Sequence, residues 1–128
     1  MTDRAPVAVV TGASRGAGHG IAAALAGRGW RGYGTGRSIT EAPPGGVAVQ
    51  VDHHDDAAVG RLFERVRRES GRLALLVNNA AVISDDLVGK EPFWEKPREL
   101  ADVLDVGLRS SYVAAWYAAP LLLASDRG

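Results

Sequence analysis

Cysteine is absent from all 128 residues, which excludes disulfides, thiolate metal sites and cysteine nucleophiles. Neither sign of charge is in excess. The 15 basic and 15 acidic side chains cancel, so no overall field draws the chain to nucleic acid or to an anionic membrane. No uninterrupted apolar run approaches membrane-spanning length, and the start, MTDRAPVAVV, lacks the apolar core of a signal peptide. A soluble cytoplasmic protein is expected. Lysine is scarce, with Lys90 and Lys96 alone. The basic residues that do cluster, Arg61, Arg65, Arg67 and Arg68, alternate with Glu64 and Glu69 at helical spacing. They read as a solvated helix face, not a phosphate-binding patch.

What is abundant is glycine. The stretch VVTGASRGAGHG puts four glycines into nine residues directly after the apolar run VAVVT, residues 7–11. Such a run reads as a strand buried on both faces. A helical pattern opens at Gly18, with Ile21 and Leu25 four apart, and stops at Gly27 and Gly29. RGYGTG, residues 31–36, is a weak strand by propensity, while VAVQV, residues 47–51, and LALLV, residues 73–77, are strong ones. Between the second and third, TEAPPGG (residues 40–46) forbids a helix. Asp55 suits an N-cap with Asp56 in the first turn; Val59, Leu62, Phe63 and Val66 follow at helical spacing, and Gly71 supplies a stop. A loop over residues 80–97 allows a short helix around Phe93 and Trp94, two aromatics expected to pack on a long last helix, residues 99–123, kinked at Pro120. This order predicts one α/β domain over residues 1–128, a Rossmann-type doubly wound parallel sheet truncated after its fourth strand and the following helix.

A sharp strand-to-helix turn leaves backbone N–H groups pointing out of the helix start, reinforced by the positive end of the helix dipole. Gly12 permits the turn, Gly16 lets a diphosphate approach the backbone, and Gly18 lets the helix pack close to the strand. A Walker-type ATP loop does not fit, because only three residues separate Gly12 from Gly16 and no lysine follows. His53, His54, Asp55 and Asp56 are contiguous and scatter their side chains around a strand end, so no metal site is expected. His19, near the first helix start, reads as solvated.

TGASRGAG (residues 11–18) resembles the TGxxxGxG fingerprint of the short-chain dehydrogenase/reductase family. LVNNAA (residues 76–81) resembles that family's NNAG motif, with Ala81 in place of its glycine, and Asp52 matches the family aspartate beside the adenine. FWEKP and DVLDVGLRSSY (residues 93–112) are similar to its dehydrogenase/reductase member 1 subgroup. Phe93 and Trp94 lie where the resemblance implies substrate entry, although packing on the last helix is the favoured reading. The resemblance implies that Ser14, Arg15 and Ala17 line the phosphates, Asp52 and His53 flank the adenine, and Asn79 and Ala80 lie against the adenosine ribose. It also implies a small-molecule carbonyl or alcohol substrate. A carboxylate at the end of the second strand, about 20 residues past the glycines, marks an NAD site. Here Gly36-Arg37-Ser38 stands instead, and a guanidinium forks onto a 2′-phosphate where a carboxylate repels it. With Arg15 on the same side, NADP(H) is expected and NAD(H) is disfavoured.

The family's catalytic tyrosine and the lysine four residues after it are missing. Four residues beyond the three tyrosines stand Arg37, Trp116 and Leu121. No catalytic residue is therefore assigned. The family's supporting asparagine aligns with Gly107, or with Asp105 if the frame shifts. Two functions remain open: the cofactor-binding half of an NADP(H)-dependent oxidoreductase, inactive as this chain, or a non-catalytic nucleotide-binding or pairing module that docks on a full-length relative. In either, LALLV is expected to form an exposed apolar edge, inviting homo-oligomerisation or other self-association with the last helix.

Overall fold

The computed structural model of the chain describes residues 4–126; residues 1–3, part of the polar start, and 127–128 lie outside the description. Four parallel strands, β1 (Val7–Val10), β2 (Arg31–Gly36), β3 (Val47–Gln50) and β4 (Leu75–Val77), pair in the order β3-β2-β1-β4. That order is the first half of a doubly wound sheet, reversing direction between β1 and β4. Val9 aligns with Tyr33 on one side and Leu76 on the other.

Alternation along the strands divides the core into two layers. Val7, Val9 and Tyr33 point toward α2 (Asp56–Glu69) and α3 (Ser110–Leu123), where Val59, Leu62, Phe63, Val66, Ala114, Ala118 and Leu121 complete the larger cluster. Val10 faces the other way, toward Ala22 of α1 (Gly16–Gly27), with Ala13 and Ile39. Among the described residues the second layer holds one helix, and the loop between β2 and β3 lies over β2. Pro43 and Ile39 lie on the strand at Gly34, where an added Cβ would stand 3.6 and 3.7 Å from them. The glycines that weaken β2 by propensity are what let this loop replace a helix.

Three expectations need correction. The fourth strand is shorter than LALLV, because the Leu73 N–H turns away to the Leu121 carbonyl at the end of α3 (3.0 Å). The long last helix is broken: a 3₁₀ turn covers Arg98–Ala101, and the next segment, Leu104–Arg109, bends at Val106 and Gly107 before α3 begins. Gly107 has φ +150°, a conformation that side chains disfavour. The break therefore falls there, whereas α3 runs through Pro120 without one. Phe93 and Trp94 do not pack on α3. They are 81% and 75% exposed and meet each other edge to face. Their loop closes instead around the Lys96 ammonium, which donates to the carbonyls of Asp86 and Gly89, both at 2.8 Å.

The arginine-rich face of α2 is solvated and internally paired, Arg65 with Glu69 and Arg67 with Glu64. β4 lies at the sheet edge, half-buried, and no helix among the described residues is long and apolar enough to cross a membrane.

Candidate functional site

The site begins where β1 hands over to α1. Gly12 and Gly16 have φ +66° and +61°, so the chain turns twice through a region that suits glycine. Arg15 occupies the N-cap of α1 in extended conformation, offers no side-chain acceptor, and no acidic residue follows in the first turn. The start of α2 is built differently. There Asp55 accepts from the N–H groups of Ala57 and Ala58 (3.0 and 3.2 Å), and Asp56 sits in the first turn. The amides and dipole of α2 are thus satisfied from within, whereas those of α1 remain available to an external anion. Ser14, Arg15, Gly16 and Ala17 are exposed around that opening, and no heavy atom lies within 4 Å of a Cβ placed on Gly16. Gly18 behaves oppositely: it is buried, and a Cβ there would overlap the Gly12 carbonyl and the Asn79 amide. One glycine leaves room for a ligand and the other brings helix and strand together. His19 is exposed just beyond.

Two threonine hydroxyls hold this turn in shape. Thr11 Oγ1 accepts from the N–H groups of Asn79 (3.0 Å) and Ala80 (2.9 Å) and donates to the Val77 carbonyl. The Asn79 side-chain amide then donates to the Gly12 carbonyl at 3.0 Å, so the NNA segment after β4 is stitched to the glycine turn. On the other side the Gly12 N–H donates to Thr35 Oγ1 (3.2 Å), and the Ala13 N–H to the Thr35 carbonyl (2.7 Å). Sequence reasoning assigned no role to the Thr35 hydroxyl. Its available signal was a hydroxyl in β2, the strand paired with β1, hidden by that strand's weak propensity.

The remaining residues line up along the end of β2 and β3. Arg37 and Ser38 are exposed directly after β2, and Ser14 rests on Gly36, which has no room for a Cβ beneath the serine hydroxyl. Asp52 is exposed and accepts from the His54 amide (3.0 Å) and the His54 ring (2.9 Å). These bonds, led by the one from the His54 amide, hold the Asp52 carboxyl below its ordinary pKa, with the Arg37 charge adding in the same direction. The other His54 nitrogen meets Asp102 at 2.8 Å, and the two carboxylates, Asp102 first, raise the His54 pKa. His53 points the opposite way: its ring is buried against Thr35 Oγ1 (2.9 Å), and burial lowers its pKa. Ser14 to Gly18, Asn79 and Ala80 thus converge on one turn, with Arg37, Ser38 and Asp52 beside it. The His54–Asp102 tie had no sequence signal, because its partners are 48 residues apart. Asp105 is exposed and Gly107 sits in the bend before α3.

The family model for short chain dehydrogenase matches residues 6–128. The chain belongs to the short-chain dehydrogenase family. Dehydrogenase/reductase SDR family member 1 of Mus musculus is 40% identical over 136 residues, covering 95% of this chain and 44% of that relative. The 3-oxoacyl-[acyl-carrier-protein] reductase of Escherichia coli (strain K12) is 33% identical, covering 88% of this chain and 47% of that protein. Among solved structures, ligand-free aldohexose dehydrogenase from Thermoplasma acidophilum superposes with a TM-score of 0.79 at 27% identity, over 95% of this chain and 46% of its own. A Serratia marcescens short-chain dehydrogenase/reductase variant gives 0.77 at 29%, over 91% and 51%. The chain spans about half the length of these relatives. Family and Rossmann fold together imply binding of a nicotinamide dinucleotide, and the anion-ready turn at α1 fits its diphosphate.

Proposed function

We propose that residues 1–128 are the NADP(H)-binding part of a cytoplasmic short-chain oxidoreductase, one that moves hydride between nicotinamide and a small carbonyl or alcohol. The observation that carries the NADP(H) choice is at the end of β2, where Arg37 and Ser38 stand exposed and no carboxylate is present. In this reading the amides at Gly16, Ala17 and Gly18, with Ser14, clasp the diphosphate. Arg37, Ser38 and Arg15 take the 2′-phosphate; Asp52 and the backbone of His53, whose ring is turned inward to Thr35, mark the adenine side, and Asn79 and Ala80 the adenosine ribose. Bound cofactor would supply the hydride, and these residues orient it and hold its charge. Because the 128 residues contain no tyrosine with a lysine four positions later, this stretch alone is expected to bind nucleotide and to turn nothing over.

Titration of NADPH and NADH against tryptophan fluorescence tests the reading. Tighter NADPH binding supports it, equal affinity sinks the choice of cofactor, and no affinity for either at millimolar levels sinks nucleotide binding altogether. Steady reductase turnover by the isolated chain would remove the claim of inactivity. A second reading, a non-catalytic module that docks on a full-length relative, is favoured by the open edge at β4. Co-purification of a stoichiometric full-length partner would support it.

A further inference from the structure

We propose that His53 is a positioning residue for the diphosphate-binding turn, accepting the Thr35 hydroxyl proton so that the Thr35 oxygen stays free to hold the Gly12 amide. This rests on the nucleotide-binding reading above for its consequence, though not for its geometry. Among the described residues the Thr35 hydroxyl meets two partners, the Gly12 N–H at 3.2 Å and His53 Nε2 at 2.9 Å. An N–H can only donate, so Gly12 takes a lone pair, and the hydroxyl hydrogen has one acceptor to go to. The ring must therefore be neutral with its proton on Nδ1. Thr35 is completely buried and His53 is 6% exposed, so water does not substitute freely for either partner.

Protonating the ring reverses this chain of bonds. Nε2–H would then donate to an oxygen that already accepts from Gly12, and the hydroxyl hydrogen would lose its acceptor inside the fold. Burial already opposes the charged ring. Among the described residues Asp52, its chain neighbour, is the one charged group that acts against that burial, and Asp52 is itself engaged by His54 and Arg37. β2 presents the uncharged Thr35 to the ring, and the glycine turn beyond it presents the uncharged Gly12. The turn that receives a diphosphate is thus tied to a ring two strands away, through a hydroxyl that tolerates only one of the two neutral tautomers.

Ring ¹⁵N spectra of the intact chain at neutral pH test the first step. An unprotonated Nε2 is expected at His53; an Nε2–H ring overturns the proposal whether or not any nucleotide binds. A ¹H–¹⁵N titration toward acid tests the second step: the Gly12 amide shift is expected to follow His53 protonation, and to stop doing so in Thr35→Val and in His53→Gln, whose side-chain oxygen accepts without titrating. A Gly12 amide that moves equally in His53→Gln points to Asp52 or His54 and also overturns it. With NADPH, wild type is expected to lose about fivefold more affinity on acidification than His53→Gln, roughly the size of one hydrogen bond. Affinity that rises instead, through attraction of the imidazolium to phosphate, contradicts the proposal. A nucleotide that never binds, with the ring and Gly12 behaving as described, removes the function and leaves the coupling standing.

Discussion

In the proposed NADP(H)-binding reading, single side chains decide which nucleotide the glycine turn recognises. Arg37 stands where an NAD-binding carboxylate would, and a hydrogen bond to a charged group contributes about 1.5–3 kcal/mol. Arg37→Asp is accordingly expected to lower NADPH affinity by about 10- to 100-fold and to reverse the preference over NADH in paired titrations. Thr11 is buried and supplies the acceptor for two backbone N–H groups after β4. Thr11→Val keeps the shape and strands both donors, so it should destabilise the fold by about 1–3 kcal/mol in urea unfolding. A change within a few tenths of a kcal/mol would show that water reaches the Asn79 and Ala80 amides.

The two adjacent histidines make opposite contributions to the pH dependence of stability. His54 has its pKa raised by Asp102 and Asp52, so its stabilisation is complete below the ordinary value of 6.5 and fades as pH rises through the folded-state value. His53 has its pKa lowered by burial, so stability is lost as pH falls from 6.5 toward the folded-state value and levels off below it. Thermal melts over about pH 5–8 should therefore show the acid-side loss reduced in His53→Gln and the alkaline-side loss reduced in His54→Gln. Identical pH profiles for wild type and both variants would contradict these environments.

Elements show where local pattern was enough and where it was not. α2 was legible in full, from the Asp55 cap through Val59, Leu62, Phe63 and Val66 to Gly71, because capping and a 3.6-residue period are short-range properties. Asp55→Ala is expected to cost about 1 kcal/mol in the same unfolding assay, since the cap serves two amides of that helix. The glycine turn was legible too, from spacing after a buried strand. The segment before α3 was not. Its apolar residues keep a helical rhythm across Gly107, and the break shows only in the backbone, where Val106 leaves the helical region and Gly107 takes a φ of +150°. Phe93 and Trp94 misled for a related reason: an aromatic pair suggests a core, but the Lys96 ammonium organises their loop from the inside and leaves both rings outside.

At the scale of the whole molecule, the sheet ends on β4, and α3 exposes Tyr112 (73%), Trp116 (65%) and Leu123 (87%). An open strand edge beside exposed aromatic rings favours pairing with another chain. The isolated chain is thus expected to self-associate, with a mass in light scattering that rises with concentration and falls again in Trp116→Lys. A monomer at all concentrations, with a sharp concentration-independent melt, would contradict this. The larger core layer between the sheet and the α2–α3 pair should carry most of the stability, so Leu62→Ala, at a site 1% exposed, is expected to cost about 2–5 kcal/mol.

Sequence alone was sufficient for the α/β order of elements, the glycine turn, the missing Tyr–Lys pair and the charge at the end of β2. Each of these is written in residue types at short spacing. Tertiary structure alone decided that Thr11 and Thr35 brace the turn, that His53 faces inward while His54 reaches Asp102, and that a loop with Pro43 and Ile39 serves as the second cover of the sheet. Those contacts join residues far apart in the chain, and a hydroxyl or an imidazole has no partner until folding brings one within hydrogen-bonding reach.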